Sequence, residues 1–289
     1  MSNQIRTWGC VFLGVFFGIS SVESQPLGMN SAKHGGVESL PLFQQACRED
    51  RERYSFSVEK GARFMSTPDG KSFIVVWLPP HTRSLRNVPL IVTLHGHGSY
   101  AFDEFFLWYT FAERRKMGVV ALQWWFGKGE NIDDYYSPWE IYSIFDRLFR
   151  KEGVVPGKAL LHGFSRGSAN VYGITALDRH RGGRYFLVTV ANAGRAGTDF
   201  TINREIEQGG FGPNPFQNSH WILYGGGRDP HPKRDGIPGM RETAEWIKGL
   251  GGTIDLFLED WKGDHGGFHR NPTHVNAALD LFERLLQKR

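Results

Sequence analysis

A chain of 289 residues that is 40% hydrophobic and carries a formal net charge of +4 has enough apolar material for one large core, which excludes a disordered or fibrous protein. Its 34 basic residues are scattered among 30 acidic ones, and the clusters Arg114 to Lys116 and Arg179 to Arg184 read as solvated helix ends. With no basic motif interleaved with aromatics, no nucleic-acid partner is expected, and the charge balance speaks to solubility.

In chain order, residues 1–24 read as an export signal. Arg6 precedes an apolar run from Trp8 to Ile19, and Val22, Glu23 and Ser24 offer a cleavage point. The run is shorter than the roughly 20 residues a bilayer span needs, so no stable membrane span is expected after cleavage; an uncleaved anchor is the alternative. Cys10 lacks the surroundings of a lipoprotein site. Processing removes one charge of each sign and leaves Cys47 alone, so no intrachain disulfide is expected. The destination is the periplasm or the medium.

Residues 25–50 are polar with Gly and Ser and read as a mobile lead-in to a single domain over 51–289. Within it, Tyr54–Val58 and Phe73–Leu78 read as strands, with Pro68, Asp69 and Gly70 turning between strands. Short apolar runs follow at Leu90–Leu94, Val119–Gln123, Ala159–Gly163, Phe186–Ala191, Trp221–Tyr224 and Ile254–Leu258. Such runs suit interior strands of a parallel sheet, buried on both faces. Helical patterns lie between them at Glu104–Met117, Pro138–Lys151, Ser168–Leu177, Gly239–Leu250 and Thr273–Gln287. Strand alternating with helix predicts an α/β, mostly parallel, doubly wound sheet without a large cap domain. Residues 192–218 break the rhythm with Gly, Asn and Pro and read as a loop bordering a site, with a helical hint near Ile202–Glu207.

The chemistry concentrates where strand Ala159–Gly163 runs into a helix opening at Arg166. Gly163, Phe164, Ser165, Arg166 and Gly167 spell G-x-S-x-G, a nucleophile elbow. The flanking glycines remove side chains that would collide in a sharp strand-to-helix turn, and the turn lifts the Ser165 hydroxyl above the sheet. In a chain with 36 glycines the motif alone is weak, so its weight rests on partners beyond the C-terminal ends of the strands. Strand Trp221–Tyr224 ends in glycines followed by Asp229 and Pro230, which makes Asp229 the candidate acid; Asp235 is the rival. The last strand leads to Gly263, Asp264, His265, Gly266 and Gly267, and His265 is the candidate general base, with His269 and His274 as rivals. Upstream, His95, Gly96, His97 and Gly98 close strand Leu90–Leu94. The backbone amides of His97 and Arg166 are the candidate oxyanion donors, while a His95–His97 metal pair lacks an evident third ligand. Trp124 and Trp125 follow strand Val119–Gln123 and are candidates for stacking on substrate. Arg166, Arg195 and Arg228 follow strand ends and are candidates for meeting a carboxylate.

Ser165, Asp229 and His265 in this chain order, with the His-Gly-His-Gly loop upstream, resemble the α/β-hydrolase fold over residues 54–289. Without cap or propeller, the chain is similar to the compact esterases of that superfamily, including polyester- and feruloyl-ester-cleaving enzymes. The Ser165–Arg166 pair is similar to the elbow of glucuronoyl esterases, where most such elbows carry a small residue, an amide or methionine after serine. The resemblance implies a secreted serine hydrolase that cleaves carboxylic esters through an acyl-enzyme, needs no metal or other cofactor, and takes a small or polymeric ester. A serine peptidase of the same fold and a non-catalytic binding protein on the same scaffold are the alternatives.

Overall fold

A computed structural model describes residues 36–288. The export signal and residues 25–35 of the lead-in lie outside the described residues. Residues 41–50 do not form a mobile lead-in. Helix α1 (Pro41–Glu49) buries Leu42, Phe43 and Ala46. Phe43, 3% exposed, packs edge-on against Phe73 with ring centroids 5.1 Å apart. Burying one such ring stabilises by about 2 kcal/mol, enough to tie the segment down.

Residues 54–58 are not a strand either. They lie in helix α2 (Arg51–Glu59), where Phe56 meets Phe105, Phe106 and Tyr109. The first strand is instead β1 (Arg63–Ser66), which pairs antiparallel with β2 (Phe73–Trp77) around the turn at Asp69 and Gly70. Gly70 takes φ +69° there, a left-handed conformation that glycine adopts without strain.

From that hairpin the chain follows the expected alternation. Strand β3 (Leu90–Leu94) leads to α3 (Ala101–Arg115), β4 (Gly118–Leu122) to α4 (Pro138–Glu152), and β5 (Ala159–Phe164) to α5 (Arg166–His180). Strand β6 (Phe186–Asn192) leads to the short α6 (Thr201–Glu207), β7 (His220–Gly226) to α7 (Ile237–Gly249), and β8 (Thr253–Asp260) to α8 (Gly267–Arg270) and α9 (Pro272–Gln287). The eight strands form one sheet in the order β1-β2-β4-β3-β5-β6-β7-β8. Only β1–β2 and β2–β4 are antiparallel; β4, β3 and β5 through β8 run parallel.

The sheet divides two cores by the period-2 rule of strands. Ile74, Val76, Leu90, Val92 and Leu161 face α4, α5 and α7, while Val75, Trp77, Ile91 and Val119 face α1, α3 and α9. The central strands β2 to β7 are buried almost throughout, whereas edge strand β8 is only partly covered. The C-terminal ends of β3, β5, β7 and β8 lie along one edge, and the loops that carry the candidate residues gather there. Among the described residues, no helix is long and apolar enough to cross a membrane.

Candidate active site

Ser165 sits between β5 and α5 with φ 55° and ψ −118°, a strained conformation for a residue with a side chain. Two glycines make it possible. A Cβ on Gly163 would stand 2.4 Å from the Gly167 carbonyl oxygen, and one on Gly167 would stand 2.6 Å from the carbonyl oxygens of both Leu94 and His95. The nucleophile strand, the elbow helix and the His95–Gly98 loop therefore touch backbone to backbone. The Ser165 amide donates to Asn192 O at 2.8 Å, which pins the turn to the end of β6.

Ser165, His265 and Asp229 come together in one hydrogen-bonded chain. His265 Nε2 lies 2.8 Å from Ser165 Oγ, and His265 Nδ1 lies 2.7 Å from Asp229 Oδ2. Asp229 is 5% exposed and also accepts from the His231 amide at 2.8 Å. Burial pushes its carboxyl up, but the hydrogen bonds from His265 and His231 outweigh that and hold it below its ordinary value. The ring of Phe164 packs 5.1 Å from that of His265 and steadies it. None of the rivals joins the hydrogen-bonded chain, although Asp235 stands beside it in the cavity wall. Asp235 pairs with Arg234, His274 contacts Asn271 and Tyr224, and His269 enters a buried cluster below the site.

A cavity of about 370 Å³ opens over Ser165, with His97, Arg166 and Arg195 in its walls. Segment 192–218 supplies part of the wall through Gly194, Arg195, Asp199 and Phe200. His95 and His97 part company: His95 is fully buried, bonded to Gly96 O and approached by the Trp124 amide, whereas His97 reaches Tyr135 and Glu130 at the cavity. Arg166 lies 4.0 Å over the ring of Tyr135 and donates to its hydroxyl and to Glu130 O, each at 3.2 Å. Its guanidinium is thus held in the wall between this cavity and an adjoining groove of about 270 Å³, lined by Tyr135, Tyr136, Trp139 and Phe200.

Three expectations need correction. Trp125 lines neither cavity; its indole N–H donates to Lys128 O and Gly129 O, and the ring packs on Tyr100 and His97. Trp124 is 1% exposed and forms the back of the aromatic groove, its indole N–H spent on His95 O, so it is wall rather than stacking platform. Arg228 is exposed and outside both cavities, and Arg234 stands at the nucleophile in its place, paired with Asp235. A residue just past a strand end can turn either way, which sequence spacing does not decide.

Sequence reasoning also passed over Tyr135, Phe200 and a buried polar cluster of Thr93, Glu104, His162 and Asn192. His162 in the middle of an apolar strand was the available signal, since a polar ring buried there needs partners.

This architecture, a mostly parallel eight-stranded sheet with the serine on the β5–α5 elbow, is the α/β-hydrolase fold. By sequence, the chain matches no family model and no curated protein. Solved structures similar to it include a Pyrobaculum calidifontis esterase, at 13% identity and TM-score 0.56 over 86% of this chain and 93% of that one. A bacterial heroin esterase is similar at 14% identity and TM-score 0.58, over 86% and 92% of the two chains. A structure from a study of two Rhizomucor miehei esterases matches at 12% identity and TM-score 0.58, over 86% and 91%. At such identities the likeness is one of fold.

Proposed function

We propose that the protein is a serine hydrolase of carboxylic esters. The observation that carries this reading is the unbroken chain from Ser165 Oγ through His265 to buried Asp229 at the strand ends. His265 Nε2 removes the hydroxyl proton as Ser165 Oγ attacks the ester carbonyl. Asp229 holds the Nδ1–H tautomer and stabilises the imidazolium that forms. Backbone amides of His97 and Arg166 meet the oxyanion of the tetrahedral intermediate. The intermediate collapses, the C–O bond breaks, and the alcohol leaves with the proton from His265. Water, deprotonated by the same ring, then hydrolyses the acyl-enzyme and restores Ser165.

The aromatic groove beside the nucleophile suits an apolar or aromatic part of the ester, and the guanidiniums of Arg166 and Arg195 suit a carboxylate on it. The esterase neighbours support an ester rather than an amide substrate. Export rests on the pattern of residues 1–24, and N-terminal sequencing of the protein recovered outside the cytoplasm tests it. For activity the test is hydrolysis of p-nitrophenyl acyl esters beside the matching p-nitroanilides. Ester turnover lost in Ser165→Ala and His265→Ala is expected; turnover of the anilides alone would move the assignment to a peptidase.

A further inference from the structure

Three segments carry the candidate active site: β5 before Ser165, α3 after the His95–Gly98 loop, and α8 after His265. Below the site each contributes one more ligating side chain, His162 from β5, Glu104 from α3 and His269 from α8. Their ligand atoms lie within 4.8 Å of one another. Glu104 and His162 are 2% and 0% exposed. His162 Nδ1 lies 3.3 Å from Glu104 Oε2. Two donors on one tetrahedral zinc ion, each bonded at about 2.1 Å, stand roughly 3.4 Å apart. The Thr93 hydroxyl lies 2.8 Å from His162 Nδ1 and donates to Glu104, so an ion bound there would displace that hydrogen bond.

Protein groups satisfy both ring nitrogens of His162 but leave other atoms of this cluster without partners. Among the described residues, the Glu104 carboxylate accepts one hydrogen bond, from Thr93, and meets no Lys or Arg. His269 Nε2 and Asn192 Oδ1 are buried without a hydrogen-bond partner, while Asn192 Nδ2 is hydrogen-bonded to His162 Nε2 at 3.2 Å. A buried carboxylate without a cation is costly, and each orphaned buried polar atom costs about 1–3 kcal/mol. One divalent ion supplies the missing charge and takes up lone pairs in the same place.

We propose that Glu104, His162 and His269 hold one structural zinc ion that ties together the nucleophile strand, the helix behind the oxyanion loop and the segment behind the base. The nitrogen and carboxylate donor set suits zinc, and since Glu104 and His162 are buried and none of the three lines either cavity, the ion ties segments together rather than meeting substrate.

The test is metal content of the untagged, full-length chain after refolding with excess zinc sulfate and desalting, beside Glu104→Gln, His269→Gln and His265→Ala. About one zinc per chain is expected in wild type and in His265→Ala, with affinity at least about 100-fold weaker in the first two variants. Cobalt-loaded wild type should show tetrahedral absorption bands that His269→Gln lacks. His265→Ala removes the other histidine–carboxylate group, formed with Asp229 and Asp235. An ion lost in that variant but kept in His269→Gln sits at the triad, and the proposal falls. Folded wild type without zinc overturns it as well, the cluster then being a hydrogen-bond network around a protonated Glu104. Should a ligand variant fail to fold, the wild-type zinc count and cobalt spectrum decide.

Discussion

Replacing Gly163 by alanine tests whether backbone contact at the elbow positions the nucleophile. The new methyl would lie 2.4 Å from Gly167 O, 2.6 Å from Gly167 C and 2.7 Å from Val171 Cγ1. A relaxed carbon–oxygen contact is about 3.3 Å or more, so strand and helix must part by roughly 1 Å. Overpacking of this kind costs about 1–3 kcal/mol, or roughly 5–10 °C at the upper end in a domain of this size. A shift of about 1 Å between reacting groups costs on the order of 100-fold in kcat. Thermal melting followed by circular dichroism and kcat on a chromogenic ester read the two effects separately. Gly249→Ala is the control, because a methyl there meets nothing within 4 Å; it should melt within about 1 kcal/mol of wild type and keep full activity. A Gly163→Ala enzyme with wild-type kcat and melting temperature would refute the argument.

Further outcomes follow from the same structure. Asp229→Asn should lower kcat by about 10⁴ while the fold persists, because His265 loses the partner that fixes its tautomer; kcat within tenfold of wild type would remove Asp229 from that role. Asp229 titrates below its ordinary 3.8, so the stability it contributes is present above that pH and lost as pH falls through its folded value. The Asn variant should therefore lose less stability on acidification. Asp178 behaves in the opposite sense: burial raises it from 3.8 to about 6, so its contribution is present below about pH 4 and lost as pH rises through 6. That loss is at most about 3 kcal/mol, and urea melts of Asp178→Asn across this window should show it flattened. Arg166→Ala should raise KM for a carboxylate-bearing ester about tenfold more than for its neutral analogue; an unchanged preference discards the anion-binding role.

How much was legible in the sequence differs element by element. The runs that became β2 to β7 were readable because strands buried on both faces need uninterrupted apolar residues. Tyr54 and Phe56 misled, since apolar residues two apart fit a strand face as well as they fit a short helix laid across aromatic rings. Glu52, Arg53 and Glu59 around them are good helix formers and were the competing signal. Leu42, Phe43 and Ala46 carried the 3.6-residue spacing of α1 inside a segment whose polarity suggested mobility. At the site, the elbow glycines and strand-end positions narrowed the search to Ser165, Asp229 and His265, and folding joins these three. Where a side chain's direction mattered, as for Trp125 or Arg228, spacing held no answer. The Glu104–His162–His269 cluster is assembled from positions 104, 162 and 269, so only the topology reveals it.

The central claim is that Ser165 is an activated nucleophile. Intact mass after treatment with a fluorophosphonate, on wild type, Ser165→Ala and His265→Ala, tests it most directly. The account predicts a single adduct on wild type, none on Ser165→Ala, and labelling slowed by orders of magnitude on His265→Ala. Folded wild type that takes up no adduct, or Ser165→Ala that still labels, would contradict it.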